Sequence, residues 1–204
     1  MTALAHALGR RTTARSALLT DVMLVVLGSA VMAGLAQISF RLPFTPVPVS
    51  GQTLGVMLVA ASLGAWRGAA SMLLYLGEGA AGLPVFAEGH SGLVWLTGAP
   101  TTGFLWSFVV AAAVIGLLAQ LGWDRSVGSA IGAMLVGEVV VFAMGVSWIA
   151  HFLGYSGEQA LTLALYPFVL GELVKLLIAA GVLPAAWRLV GGRAGAGALP
   201  SFKR

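Results

Sequence analysis

The chain alternates between long apolar runs and short stretches carrying proline, glycine or charge. The first run, about Thr20 to Phe40, has the roughly 20 residues a helix needs to cross a bilayer. The segment Arg41-Leu-Pro-Phe-Thr-Pro-Val-Pro-Val-Ser50 ends it, because three prolines in six residues cannot continue a helix. Two shorter runs follow, about Gln52 to Ala65 and Gly68 to Gly82, short enough to need tilt or shielding. After a glycine-rich stretch to Gly103 come runs at about Thr102 to Leu121, Gly128 to Leu153 and Leu161 to Leu189. The pattern predicts an all-α integral membrane protein with six transmembrane helices over 18–190. It also predicts a leader at 1–17 and a flexible tail at 191–204.

Composition agrees: 59% of residues are hydrophobic and 9% charged, too few charges for a soluble surface. The first run is too long for the apolar core of a cleaved signal. Charge then orients the helices. Arg10, Arg11, Arg15, Arg67, Arg125, Arg188, Arg193, Lys203 and Arg204 fall on one predicted side, and Arg41 alone on the other. By the positive-inside rule both termini are cytoplasmic. The net charge of +4 follows from these flanks. It does not mark a nucleic-acid surface, since the basic residues are not gathered on one folded face.

Several enzyme classes are excluded. There is no cysteine, and the three histidines, His6, His90 and His151, are scattered, so no metal cluster is predicted. Gly154-Tyr-Ser-Gly157 matches the surroundings of a rhomboid-type serine nucleophile, but no histidine follows it to act as base. No phosphate-binding Gly-x-x-x-x-Gly-Lys-Ser/Thr loop occurs, so ATP-driven transport needs ATPase partners.

The candidate chemistry sits in the last run, where Glu172 and Lys175 lie three residues apart on one helical face. A charge in hydrocarbon costs roughly 2.5–3.5 kcal/mol on insertion scales, so such a pair marks a functional site or a structural ion pair. Carboxylate and ammonium together suit a small group with N–H donors beside a carbonyl, such as a urea or amide. Gln52, at the start of the second run, carries both donor and acceptor. Phe44, Tyr75, Phe86 and Trp95 are candidate apolar walls, and Glu88 and His90 belong near the outer surface. Thr101 and Thr102, opening the fourth run beside backbone N–H groups, suit a carboxylate. In the first run Ser29, Ala33 and Gln37 fall on one line, and Ala30 and Gly34 on another, the small residues permitting close helix approach. Glu78 and Glu138 also fall in or near apolar runs.

Four motifs occur in order. They are Pro43-Phe-Thr-Pro-Val-Pro-Val-Ser-Gly-Gln-Thr53; Leu74-Tyr-Leu with Gly79-Ala-Ala-Gly-Leu-Pro-Val-Phe-Ala87; Gly98-Ala-Pro-Thr-Thr-Gly-Phe104; and Tyr166-Pro-Phe-Val-Leu-Gly-Glu-Leu-Val-Lys175. Together they resemble those of the BioY family, the biotin-binding S components of energy-coupling factor transporters. The resemblance covers roughly Thr20 to Ala185. It implies capture of biotin from outside, as cargo and not as cofactor, in a bacterial plasma membrane. It further implies a transmembrane T component and two ABC-type ATPase subunits as partners. Glu172 and Lys175 then fall at the family's ligand-contacting acid and base, Glu172 accepting a ureido N–H and Lys175 donating to the carbonyl. Gln52, Phe44, Tyr75, Phe86, Glu88, Trp95, Thr101 and Thr102 are the further ligand candidates. Ser29, Ala30, Ala33 and Gly34 are candidates for contact with the T component. The chain departs from the pattern at Glu172, where Asp is usual, at Ser50, where Thr is common, and at Thr102, where the family loop has glycine. Glu78 stands in a stretch that is mostly apolar in relatives. An S component for another vitamin, and a solitary proton-coupled carrier using Glu78, Glu138 and Glu172, are the alternatives.

Overall fold

A computed structural model describes the backbone over 14–195 and the side chains over 17–185. Apart from one short hairpin the elements are helical: α1 (Ala14–Ala36), β1 (Ser39–Phe40), β2 (Val49–Ser50), α2 (Gln52–Leu63), α3 (Ala65–Ala80), α4 (Val94–Thr97), α5 (Thr102–Gln120), α6 (Val127–Leu153), α7 (Gly157–Ala164) and α8 (Val169–Gly195). The rest of the expected leader and tail lies outside the described residues, as do most of the basic flanks.

Each boundary has a local cause. α1 ends at Ala36, where the Gln37 and Ile38 N–H groups turn back on the Gly34 and Leu35 carbonyls; the prolines at 43, 46 and 48 keep the following segment non-helical, and it closes a two-residue antiparallel ribbon, Ser39 opposite Ser50 and Phe40 opposite Val49. Gly64 adopts φ +84° between α2 and α3, a conformation that favours glycine. The Ser126 hydroxyl caps α6, and Gly154 closes it in the left-handed region. Ser156 and Gln159 form a reciprocal capping box on α7.

Among the described residues, three helices are long and apolar enough to span a bilayer, with apolar segments Ala17–Ala36, Thr102–Gln120 and Val127–Leu153. The α7–α8 pair makes a fourth if it counts as one span, bent by 55°. The single run expected from Leu161 to Leu189 is thus broken. Pro167 lacks the N–H that would continue the ladder, and Leu165, Tyr166 and Phe168 turn back on Leu161 and Leu165 instead. At about 1.5 Å per residue the 12 residues of α2 reach about 18 Å, well short of a hydrocarbon core. Its neighbours explain how so short a helix is accommodated. α2 packs against α1, α3, α5 and α8, and eight of its residues are buried. By contrast α3 is amphipathic, burying Gly68, Ser71, Met72, Tyr75, Leu76 and Gly79 at helical spacing.

The outer faces of α1, α6 and α8 expose Leu, Val, Met and Ile, as a surface against lipid acyl chains does. Polar ties run inside. The Arg67 guanidinium pairs with Asp21 at 2.6 Å, and Ser29 donates to Glu78 at 2.5 Å, together joining α1 to α3 at two levels. That accounts for Glu78. It also places Ser29 inside the fold, fully buried, while Ala30 and Gly34 are exposed and Ala33 is half-buried. Of the small-residue lines on α1, only the Ala30–Gly34 line is open to a partner.

Candidate functional site

The segments at 37–50 and 84–101 and helix α7 gather at one end of the bundle. Arg41 and Ser39 reach Glu88, and Thr45 donates to the Leu163 carbonyl at 2.6 Å. The α2–α3 turn packs at the other end against the C-terminal part of α5. There a Cβ on Gly116 would run into the Gly64–Ala65 backbone. A cavity of about 330 Å³ opens between the gathered segments and descends to α8. That is near the lower end of the roughly 300–1,000 Å³ of small-molecule sites, so it suits one compact ligand.

Its floor is polar. Glu172, on the first turn of α8, is 7% exposed and lines the cavity. One carboxylate oxygen accepts from the Lys175 Nζ at 2.6 Å, the other from the Thr53 hydroxyl at 2.6 Å. Lys175 also donates to Thr53 Oγ1 at 3.1 Å, closing a three-membered ring between α2 and α8. Thr53 lines the cavity and Lys175 does not; the ammonium stands behind the carboxylate it neutralises. Glu138, buried on α6, lies against this cluster, and its Oε2 has no hydrogen-bond partner among the described residues.

Gln52 is the second polar group on the floor. Its Oε1 accepts from Ser50 at 2.8 Å, and its Nε2 donates to the Tyr75 hydroxyl at 2.9 Å. An amide nitrogen has two hydrogens, so one stays available. Tyr75 is fully buried beneath Gln52 and does not line the cavity; it fixes the amide that does.

The walls are aromatic and proline-rich. Phe86 lines the cavity, held edge-on to Tyr75 with ring centroids 5.5 Å apart. Its ring occupies the space a Cβ on Gly79 would take, a close approach only glycine permits. Phe104, Phe108, Phe142 and Phe168 complete the apolar surface, on α5, α6 and the α7–α8 bend. Phe44, expected as a wall, is 59% exposed on the outside of the proline segment, whereas Pro46, Val47 and Pro48 line the cavity. Trp95 lines it too, its ring 4.1 Å from that of His90.

Of the threonine pair, only Thr101 lines the cavity. The Thr102 hydroxyl is committed elsewhere, donating to the Trp95 carbonyl at 2.9 Å and accepting from the Ala99 N–H at 3.0 Å. Trp106 and Trp148 donate to the Leu96 and Ala99 carbonyls. These bonds hold the short helix α4 beside the cavity, and Thr102 shapes the wall without lining it.

At the mouth, Arg41 Nε donates to both oxygens of Glu88, at 2.6 and 2.8 Å, and both residues line the cavity. Arg41, Thr53 and Phe104 are site residues the sequence does not single out. Arg41 reads as an isolated loop charge, Thr53 as an ordinary helix start, and Phe104 as one more apolar residue of a span.

The BioY family model matches residues 7–192. The biotin transporter BioY of Rhizobium etli is 34% identical over 168 residues, covering 78% of this chain and 89% of that protein. The biotin transporter BioY of Rhodobacter capsulatus is 39% identical over 142 residues, covering 65% and 74%. A crystal structure of the S-component for biotin from an ECF-type ABC transporter shares the fold. Its TM-score is 0.76 at 23% identity, over 86% of this chain and 94% of that one. A family model matched over nearly the whole helical region, with relatives aligned along most of their length, shows that the chain belongs to the BioY family.

Proposed function

We propose that this chain is a transport subunit, not an enzyme, that captures biotin in the bacterial plasma membrane through the cavity between α2, α5, α6 and α8. The observation that carries the reading is the cavity floor. There an acceptor, Glu172, and an amide with a free N–H, Gln52, face one compact space walled by aromatic rings. Biotin's ureido head offers N–H donors flanking a carbonyl, the complement of that floor. Glu172 takes a ureido N–H and Gln52 donates to the carbonyl. Lys175 and Thr53 act through Glu172, neutralising and orienting it. The extra methylene of Glu172 relative to Asp suits this division, since it carries the carboxylate past Lys175 to the cavity surface.

Six membrane crossings fit the same reading: α1, α2, α3, α5, α6 and the bent α7–α8 pair, with both termini cytoplasmic and the mouth outside. Arg67, in the first turn of α3, and Arg125, in the turn between α5 and α6, stand at the end opposite the mouth and support that orientation. Uptake then needs a transmembrane T component, docked in part on the exposed Ala30–Gly34 line of α1, and two ATPases to hydrolyse ATP. The fold shared with the S-component for biotin from an ECF-type ABC transporter supports this division of labour.

Titration of biotin, desthiobiotin and thiamine into the purified, detergent-solubilised chain tests the proposal. Saturable binding of biotin with no heat from thiamine is the expected result; binding of thiamine in preference to biotin assigns the cavity to another vitamin. One observation favours a second reading, a solitary proton-coupled carrier: Glu138, buried with an unpaired oxygen beside the Glu172 cluster. Uptake into vesicles containing this chain alone, abolished by an uncoupler, would support that alternative.

A further inference from the structure

The polar floor of the cavity accounts for a neutral head group, but not for the charge at the opposite end. Arg41 is the one Arg or Lys among the described residues lining the cavity. Its pairing with Glu88 is one-sided. Both hydrogen bonds to the carboxylate are made by Nε and not by the Nη groups. A guanidinium carries five N–H donors, so four remain.

The position is built, not incidental. Glu88 holds φ +61°, a left-handed conformation uncommon outside glycine, and is the one non-glycine residue with positive φ among those described. Two contacts secure it there. The Ser39 hydroxyl accepts the Glu88 backbone N–H at 2.9 Å, and Arg41 holds the carboxylate. Ser39 and Arg41 flank Phe40 of the β1–β2 ribbon, so ribbon and Glu88 fix one another. Glu88 thereby sets the orientation of the guanidinium through Nε and not through Nη. Thr101 lines the same cavity, and its side chain makes no cap bond to α5.

We infer that Arg41 is the residue that recognises the ligand's carboxylate, through its Nη groups with the Thr101 hydroxyl as a second donor, and that Glu88 is its positioning residue. The inference rests on the biotin reading above and deepens it. A ligand whose neutral head sits on Glu172 and Gln52 presents its acid toward the mouth, where Arg41 is the complementary charge. The Glu88 carboxylate and water both moderate the attraction. The Arg41 side chain is 62% exposed, so the effect is one of selectivity more than of raw affinity.

The test compares biotin with biotinamide, which keeps the ring system and chain but lacks the negative charge. Both are titrated into detergent-solubilised wild type, Arg41→Ala and Arg41→Lys. Arg41→Ala is expected to weaken biotin about fivefold and biotinamide less than about twofold, with Arg41→Lys between. Retained biotinamide binding reports that each variant is folded. Wild type is expected to prefer biotin, and that preference to shrink as salt rises. The inference is overturned if Arg41→Ala weakens both ligands equally, if it weakens neither, or if wild type binds the two alike. Wild type that binds neither ligand overturns the biotin reading itself, a result distinct from all of these.

Discussion

The two ends of the cavity hold their charges in opposite ways. At the floor, Glu172, Lys175 and Thr53 pair with one another between two helices, in a setting where an unpaired charge is strongly destabilising. At the mouth, Arg41 and Glu88 pair in partial contact with solvent, on a ribbon and a loop, with donors left over. A sealed network sets what kind of head group enters, because losing one member strands the others. An exposed pair is screened and adjusts preference among ligands that already fit. On the proposed reading, chemical identity is read deep in the fold, and selectivity for the ligand's tail at the surface.

Substitutions along the cavity axis test this gradient. The largest effect belongs to Glu172→Gln, which keeps the side-chain shape but removes the acceptor charge and leaves Lys175 unneutralised. Biotin affinity measured by titration should fall about 100-fold or more. Next comes Thr53→Val, which removes the hydroxyl joining Glu172 to Lys175. An affinity loss of about tenfold is expected, together with a lower unfolding temperature, since a buried charged bond is lost. Lys175→Ala should lower affinity comparably in protein that remains folded; wild-type affinity there would remove Lys175 from any part in the site. Tyr75→Phe acts one step further back by freeing the Gln52 amide to rotate, and about a threefold loss is expected. Smallest is Thr45→Val, which releases the proline segment from α7 without touching the floor. Faster biotin dissociation in a chase experiment, with affinity changed less than about twofold, is the expected result. A Thr45→Val effect as large as that of Thr53→Val would erase the distinction between floor and mouth.

How much of this was readable in the chain follows from which forces act locally. Hydropathy gives α5 and α6 to within a residue or two, because that signal is written into consecutive positions, whereas α1 stops at Ala36, four residues short of the expected Phe40, where Gln37 and Ile38 turn back on the Gly34 and Leu35 carbonyls. The break before α8 is harder to read. The apolar run continues through Tyr166 and Phe168, so hydropathy carries across a bend that Pro167 and backbone geometry impose. Glu172 is legible because a charge in an apolar run has few explanations. Thr53 is not, since its role comes from meeting α8, which is 119 residues away in sequence from Thr53 to Glu172. The same holds for Ser29. As a small residue on a membrane helix it suggests a docking face, yet its hydroxyl is bound to Glu78 inside the fold. Aromatic residues divide similarly. Phe86 and Phe44 look alike in sequence, but Gly79 leaves room for Phe86 to enter, while the proline segment turns Phe44 outward.

The central claim is that the floor reads a ureido group through Glu172. The most direct measurement is titration of biotin beside an analogue methylated on both ureido nitrogens, into the wild-type chain in detergent. The account predicts saturable binding of biotin and no measurable binding of the methylated analogue, which keeps the rings and the acid but offers no N–H to Glu172. Equal binding of the two would contradict it, because a floor that does not distinguish them is not reading those hydrogens.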